Sequence, residues 1–147
     1  MRTQRGFTLV EILIVVVILG ILAAVVIPQF TEASTEAKTS SLCTDLQTVR
    51  SQIELYKVQH NDQLPGVGGA TLVQALIGKT NVAGAVGTDY GPYLQKIPSN
   101  QFAPAAIANV IDTGATNPTA VSTTGGWFFN TSTGEVMAVD STDHMKL

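Results

Sequence analysis

The chain has 147 residues, 45% of them hydrophobic and only 13% charged, with a formal net charge of -3 and a single cysteine, Cys43. That length suits one small folded region, and one cysteine excludes an intrachain disulfide. Charge is unevenly spread: Arg2 and Arg5 come first, and from Phe7 onward six Lys/Arg stand against eleven Asp/Glu, so no basic patch offers itself to nucleic acid.

The first predicted element is the longest apolar run in the chain. Residues 12–27 carry no polar side chain, and residues 7–30 form a helix of about 36 Å, enough to cross a hydrocarbon core of ~30 Å. Arg2 and Arg5 ahead of the run predict that the amino terminus stays cytoplasmic and the remainder lies outside. A secretory signal peptide fits poorly, because Ala23-Ala24 sits inside the apolar run and the chain stays apolar through Ile27. A plain membrane anchor explains the length but not Glu11, a carboxylate just inside the run. An acid in such a segment is costly, about 2.5–3.5 kcal/mol at the bilayer centre and less near an interface, so it calls for a partner.

Pro28 closes the run and predicts a kink in a helix that continues beyond it. Leu42, Leu46, Val49, Ile53 and Tyr56 then recur at spacings of 4, 3, 4 and 3, which draws one apolar stripe on an amphipathic helix. Glu32, Glu36, Lys38, Asp45, Arg50, Glu54 and Lys57 fall on the other faces as solvated charges. Cys43, beside Leu42, reads as a small buried hydrophobe. The helix is predicted to run from Phe7 to about His60, with Pro65-Gly66 marking the break.

Thr71 as cap and Gly78 as stop bracket a short amphipathic helix. The chain then turns rich in Gly, Ala, Thr, Asn and Pro, with Tyr90, Tyr93, Leu94 and Ile97 as apolar anchors. Residues 126–130 and 135–139 flank Thr131-Ser132-Thr133-Gly134 and read as a β-hairpin. Alternation places Trp127 with Phe129 on one face, and Val136 with Ala138 on one face of the partner strand. The expected fold class is therefore α+β: a long amino-terminal helix, with a membrane half and an amphipathic half, packed on a small carboxy-terminal antiparallel sheet.

Catalytic and metal patterns are sparse. His60 and His144 lie far apart without a cysteine partner, so they form no zinc pattern. Asn130-Thr131-Ser132 matches a glycosylation sequon but reads as turn residues. No nucleophile, base and orienting group can be named together, so the chain is expected not to be an enzyme.

The string Arg5-Gly6-Phe7-Thr8-Leu9-Val10-Glu11, running straight into the apolar segment, resembles the type IV prepilin leader and cleavage site. The resemblance implies a pilin-like fold and cutting of the Gly6–Phe7 bond by a prepilin peptidase, with methylation of the new Phe7 amine. It also implies an assembly role for Glu11, facing the amine of a neighbouring subunit. Farther along, Gly91-Pro92-Tyr93-Leu94, Ile97-Pro98, the Trp127 strand and Thr133-Gly134-Glu135-Val136 resemble pseudopilins of the type II secretion system, the major-subunit type above all. Two features depart from the families: the Asp-Pro-Trp-Gly stretch of major pseudopilins is missing, and so are the paired cysteines of many type IV pilins. The implied organisation is a leader over residues 1–6, a transmembrane and assembly helix over 7–30, its amphipathic half over 31–62, and a periplasmic globular region over 63–147.

Implied partners are further copies in a helical filament, the prepilin peptidase, other pseudopilins, inner-membrane secretion components and membrane lipid, with no nucleic acid. Major pseudopilins hold calcium in a carboxy-terminal loop, which nominates Asp112, Asp140 and Asp143, although no EF-hand spacing accompanies them. No other cofactor is implied. A surface type IV pilin and a membrane-tethered binding module remain the alternatives.

Overall fold

The computed structural model describes residues 6–147, so Arg2 and Arg5 of the basic leader lie outside the described residues. The elements in order are α1 (Leu9–Gln59), α2 (Leu72–Ile77), β1 (Ile111–Gly114), β2 (Trp127–Asn130), β3 (Val136–Ala138) and a 3-10 turn over His144–Lys146. Two compact units divide the chain at residues 37 and 38.

Within the first unit, Thr8 caps α1. Its Oγ1 accepts the Glu11 N–H at 3.3 Å, and its carbonyl accepts the Ile12 N–H at 3.4 Å. The first contact satisfies one of the donors that every helix amino terminus leaves open, and the second is the first rung of the helix ladder. Helix α1 passes through Pro28 rather than stopping there. Proline offers no N–H to the carbonyl four residues back, so one rung of the ladder is lost. The Thr31 hydroxyl donates to the Pro28 carbonyl at 2.7 Å.

Within the second unit, the part of α1 beyond residue 37 buries Leu42, Leu46, Val49, Ile53 and Tyr56, the five residues of the stripe. Leu42, Leu46, Val49 and Ile53 pack with Leu72 and Leu76 of α2, Leu94, and Trp127, Phe129, Val136 and Ala138 of the sheet. Each such side chain contributes about 1.5–3 kcal/mol on removal from water, before the entropy of ordering is set against it. Cys43 departs from expectation: it is exposed, because one residue along a helix turns about 100° away from Leu42 and off the stripe.

Helix α2 has the predicted ends. The Thr71 hydroxyl accepts the Gln74 N–H at 3.2 Å while Gln74 Oε1 accepts the Thr71 N–H at 3.0 Å, a complete capping box. Strands β2 and β3 pair antiparallel, with Trp127 opposite Ala138 and Phe129 opposite Val136, as the hairpin reading requires. Phe128, Met137 and Val139 form a separate cluster with Met145 on the opposite face.

The purely antiparallel sheet needs correction. Strand β1 pairs with β2 in parallel, Ile111 beside Trp127 and Asp112 beside Phe128, so the sheet is mixed, in the order β1-β2-β3. A parallel neighbour requires a crossover of a dozen residues or more, and residues 115–126 supply it.

Candidate functional site

The amino-terminal segment is the strongest candidate. Gly6, Phe7 and Thr8 are non-helical and exposed, and α1 begins at Leu9. Phe7 is 76% exposed, so the Gly6–Phe7 junction is an accessible, non-helical stretch just ahead of a capped helix. Glu11 occupies the first turn of α1. There the unpaired N–H groups carry partial positive charge, which favours a carboxylate.

From Ile12 to Ile27, every large apolar side chain is at least 43% exposed. The most apolar window of α1 has a mean hydropathy of 3.3 and none of it is buried, so the helix is long and apolar enough to cross a membrane. Such a surface far exceeds the few hundred Å² of contiguous apolar area that soluble monomers tolerate. Chemically, the segment offers a wide apolar face for lipid or for like helices, with one carboxylate at its front edge.

The three acids nominated for calcium do not converge. Asp112 lies on β1, at one edge of the sheet, and Asp140 follows β3, at the other. Asp112 Oδ2 accepts the Ser122 hydroxyl at 2.6 Å and the Thr124 hydroxyl at 2.7 Å. Asp140 Oδ1 accepts an amide N–H of the buried Asn100 at 2.6 Å, and its Oδ2 meets His144 Nδ1. Asp143 is exposed and pairs with Lys146 at 3.2 Å. Among the described residues no three His, Cys, Asp or Glu side chains gather as a metal would need. Calcium takes six to eight oxygens; here Asp112 gathers two hydroxyls, and Asp140 an amide and an imidazole.

One polar cluster escaped the sequence reading. His60 is fully buried, its ring stacked on Tyr56 at 3.7 Å and 2°. Its Nδ1 donates to the Tyr56 carbonyl at 2.9 Å, leaving Nε2 facing the Thr80 hydroxyl at 2.8 Å. Tyr90 and Tyr93 meet the ring edge-on at 5.3 and 6.2 Å. Burial raises the Tyr93 phenol above its ordinary pKa, the neighbouring Tyr56 and Tyr90 adding to the shift and Thr80 opposing it. A signal for this core was present, since His60 continues the stripe four residues beyond Tyr56. Asn130 is also buried: its side-chain oxygen accepts the N–H groups of Ser132 and Thr133, so the sequon residues build the turn, as read.

A capped, apolar, exposed helix start behind a Gly-Phe junction, joined to a small α+β unit, defines a pilin-like protein of the prepilin class. Residues 1–27 match the family model described as the prokaryotic N-terminal methylation motif. The type II secretion system core protein G of Pseudomonas aeruginosa is 44% identical over 59 residues, covering 40% of this chain and 42% of that protein. The Klebsiella michiganensis core protein G is 37% identical over 81 residues, 55% of each chain. That of Vibrio cholerae is 32% identical over 102 residues, 69% of this chain and 68% of that protein. The chain belongs to the type II secretion system core protein G family. The matched region spans about half the length of several of these relatives, between 39% and 55% for the first three. No solved structure matches the chain at a significant level.

Proposed function

We propose that this protein is a structural, non-catalytic subunit of a type II secretion pseudopilus, of the major kind. It enters the inner membrane through residues 7–30 with its carboxy-terminal region in the periplasm. A prepilin peptidase cuts the Gly6–Phe7 bond and the Phe7 amine is methylated. The mature chains then pack into a helical filament with other pseudopilins and inner-membrane secretion components, and the filament pushes folded cargo through an outer-membrane channel.

The observation that carries this reading is the wholly exposed apolar surface of residues 12–27 immediately behind Gly6, Phe7 and Glu11. In a filament that surface is covered by the same segment of neighbouring chains. An α-amine with an ordinary pKa near 7.7–8.0 is largely cationic at neutral pH. Paired across subunits with Glu11, it sets register more than it adds stability, since removing one member leaves a stranded charge at a cost of about 3–5 kcal/mol.

Mass spectrometry of the mature amino terminus tests processing. N-methylated Phe7 is expected, and a start near Val25 or an intact Met1 overturns the reading. Co-expression of Glu11→Ala with wild type tests assembly: the variant inserts in the membrane but is excluded from filaments, and incorporation at the wild-type level rejects the role given to Glu11.

A further inference from the structure

The β1–β2 crossover, residues 115–126, holds its shape beside the sheet without helix or strand. Residues 115–126 contain no charged side chain at all. Two carboxylates reach them, that of Glu135 at Asn117 and that of Asp112 on β1 at Ser122 and Thr124. Alternation turns Ile111 toward the main core, where it packs, and Asp112 to the opposite face. Gly125 lies directly beneath that carboxylate, where a Cβ would come within 2.8 Å of the Asp112 carboxyl carbon.

The hydroxyls around Asp112 form a closed hydrogen-bond set. Ser122 and Thr124 both donate to Oδ2, while Ser122 Oγ accepts the N–H groups of Thr124 and Gly125 at 3.1 and 3.2 Å. The Ser122 N–H donates to the Val139 carbonyl at 2.8 Å, which ties the loop to the residue after β3. At the other end, Asn117 donates to Glu135 at 2.7 Å and accepts from Asn130 at 2.6 Å. The loop itself thus contributes only hydroxyls, an amide and backbone groups to its anchors, and the carboxylates they meet belong to Asp112 and Glu135.

Spacing separates this set from an ion's coordination shell. Oxygens sharing a calcium at 2.3–2.6 Å stand roughly 2.8–3.4 Å apart. The 2.6 and 2.7 Å separations here are instead those of O–H···O⁻ bonds. One carboxylate, with none from the loop itself, also supplies little of the negative charge that sets calcium affinity.

We infer that Asp112, Ser122 and Thr124 close the crossover by hydroxyl-to-carboxylate bonding, and that the fold of this chain needs no calcium. The closure is a property of the second unit and holds whichever filament the protein builds.

The test uses the full chain in detergent micelles, melted with calcium chloride in excess or with EDTA. The expected difference in Tm is under about 1 °C, because a ligand without a site stabilises nothing. Limited proteolysis of a Ser122→Ala/Thr124→Val variant is expected to cut residues 115–126 several-fold faster than wild type, equally with and without calcium. Asp112→Asn keeps an acceptor oxygen and is expected to resemble wild type in both assays. A saturable rise in the wild-type Tm, roughly 10 °C at about 100-fold excess over Kd and abolished by Asp112→Asn, overturns the inference. So does an unchanged cutting rate in the double variant. The wild-type melt needs no variant to fold, so it decides the calcium question by itself.

Discussion

Replacing Ile53 with alanine tests whether the α1 stripe is the core of the second unit or a face reserved for other subunits. Ile53 is 1% exposed and packs in the cluster that includes Leu46, Val49, Leu76, Trp127 and Phe129. Truncation there loses the transfer energy of three carbons and leaves a cavity that a helix on one side and a sheet on the other cannot readily collapse. The expected cost is about 3 kcal/mol, within the 2–5 kcal/mol seen for buried isoleucine. For a unit of this size that lowers Tm by roughly 15 °C. Leu55, two residues on, is 44% exposed, and Leu55→Ala should cost under about 1 kcal/mol. Trp127 is the sole tryptophan and sits in the same cluster, so its fluorescence reports melting of this unit without interference from the apolar segment. Equal melting of the two variants refutes the packing argument. A normal melt with failed assembly for Ile53→Ala would assign the stripe to subunit contacts instead.

Three further outcomes follow from other parts of the second unit. His60→Ala strands the Thr80 hydroxyl and opens space beneath Tyr56, and should cost about 2–4 kcal/mol in the same melt. Asn130→Ala removes the turn bonds to Ser132 and Thr133 and the bond to Asn117, for a loss of about 1–3 kcal/mol, while expression in a glycosylating host leaves the wild-type mass unchanged. Asp45 has no ion pair among the described residues, and burial raises its carboxyl above the ordinary pKa. The folded state therefore holds the Asp45 proton more tightly than the unfolded state does. Its destabilising effect is full above the folded pKa and vanishes below the unfolded value near 3.9. Asp45→Asn should accordingly raise stability by up to about 0.5 kcal/mol at neutral pH and not at all near pH 3, and a gain that persists at low pH would refute the assignment.

The parts of the fold visible in the sequence are those that local periodicity can carry. The stripe from Leu42 to Tyr56, the Thr71 cap with the Gly78 stop, and the Trp127/Val136 hairpin follow the local pattern of their own elements, and each appears where that pattern puts it. Strand β1 was not visible, because Ile111-Asp112-Thr113-Gly114 has one large apolar residue and acquires strand character only from pairing with β2 across the crossover. His60 and Asn100 were hidden for the opposite reason. Polar residues next to turns look solvated, yet both are fully buried, and His60 Nε2 and the Asn100 amide nitrogen meet groups distant in sequence. Asp140 with His144 is a similar case, a pair whose meaning depends on Asn100, forty residues away from Asp140.

Glu11 reads differently with the helix start in view. In the sequence it is an acid inside an apolar run and stands out by its cost. In the structure it is the third residue of α1, and its own N–H is bonded to the Thr8 cap. Thr8-Leu9-Val10-Glu11 has the spacing of a capping box, and the helix amino terminus attracts a carboxylate by about 0.3–1 kcal/mol. The acid therefore sits at the edge of the apolar segment and in the favourable field of its own helix, where the cost of a bilayer-centre charge does not apply in full. That gives the acid of a single chain a favourable place before any neighbour arrives. In the proposed filament the neighbour's Phe7 amine then adds to an anion that is already partly stabilised, and the carboxylate acts as a position mark that the unassembled subunit can tolerate. Thr8→Val removes the cap while leaving the Gly6–Phe7 junction and Glu11 in place. It is expected to lower the steady-state level of unassembled subunit in the membrane, and Thr8→Ser is expected to restore it. Equal levels for the two variants would mean that the cap does not support the acid.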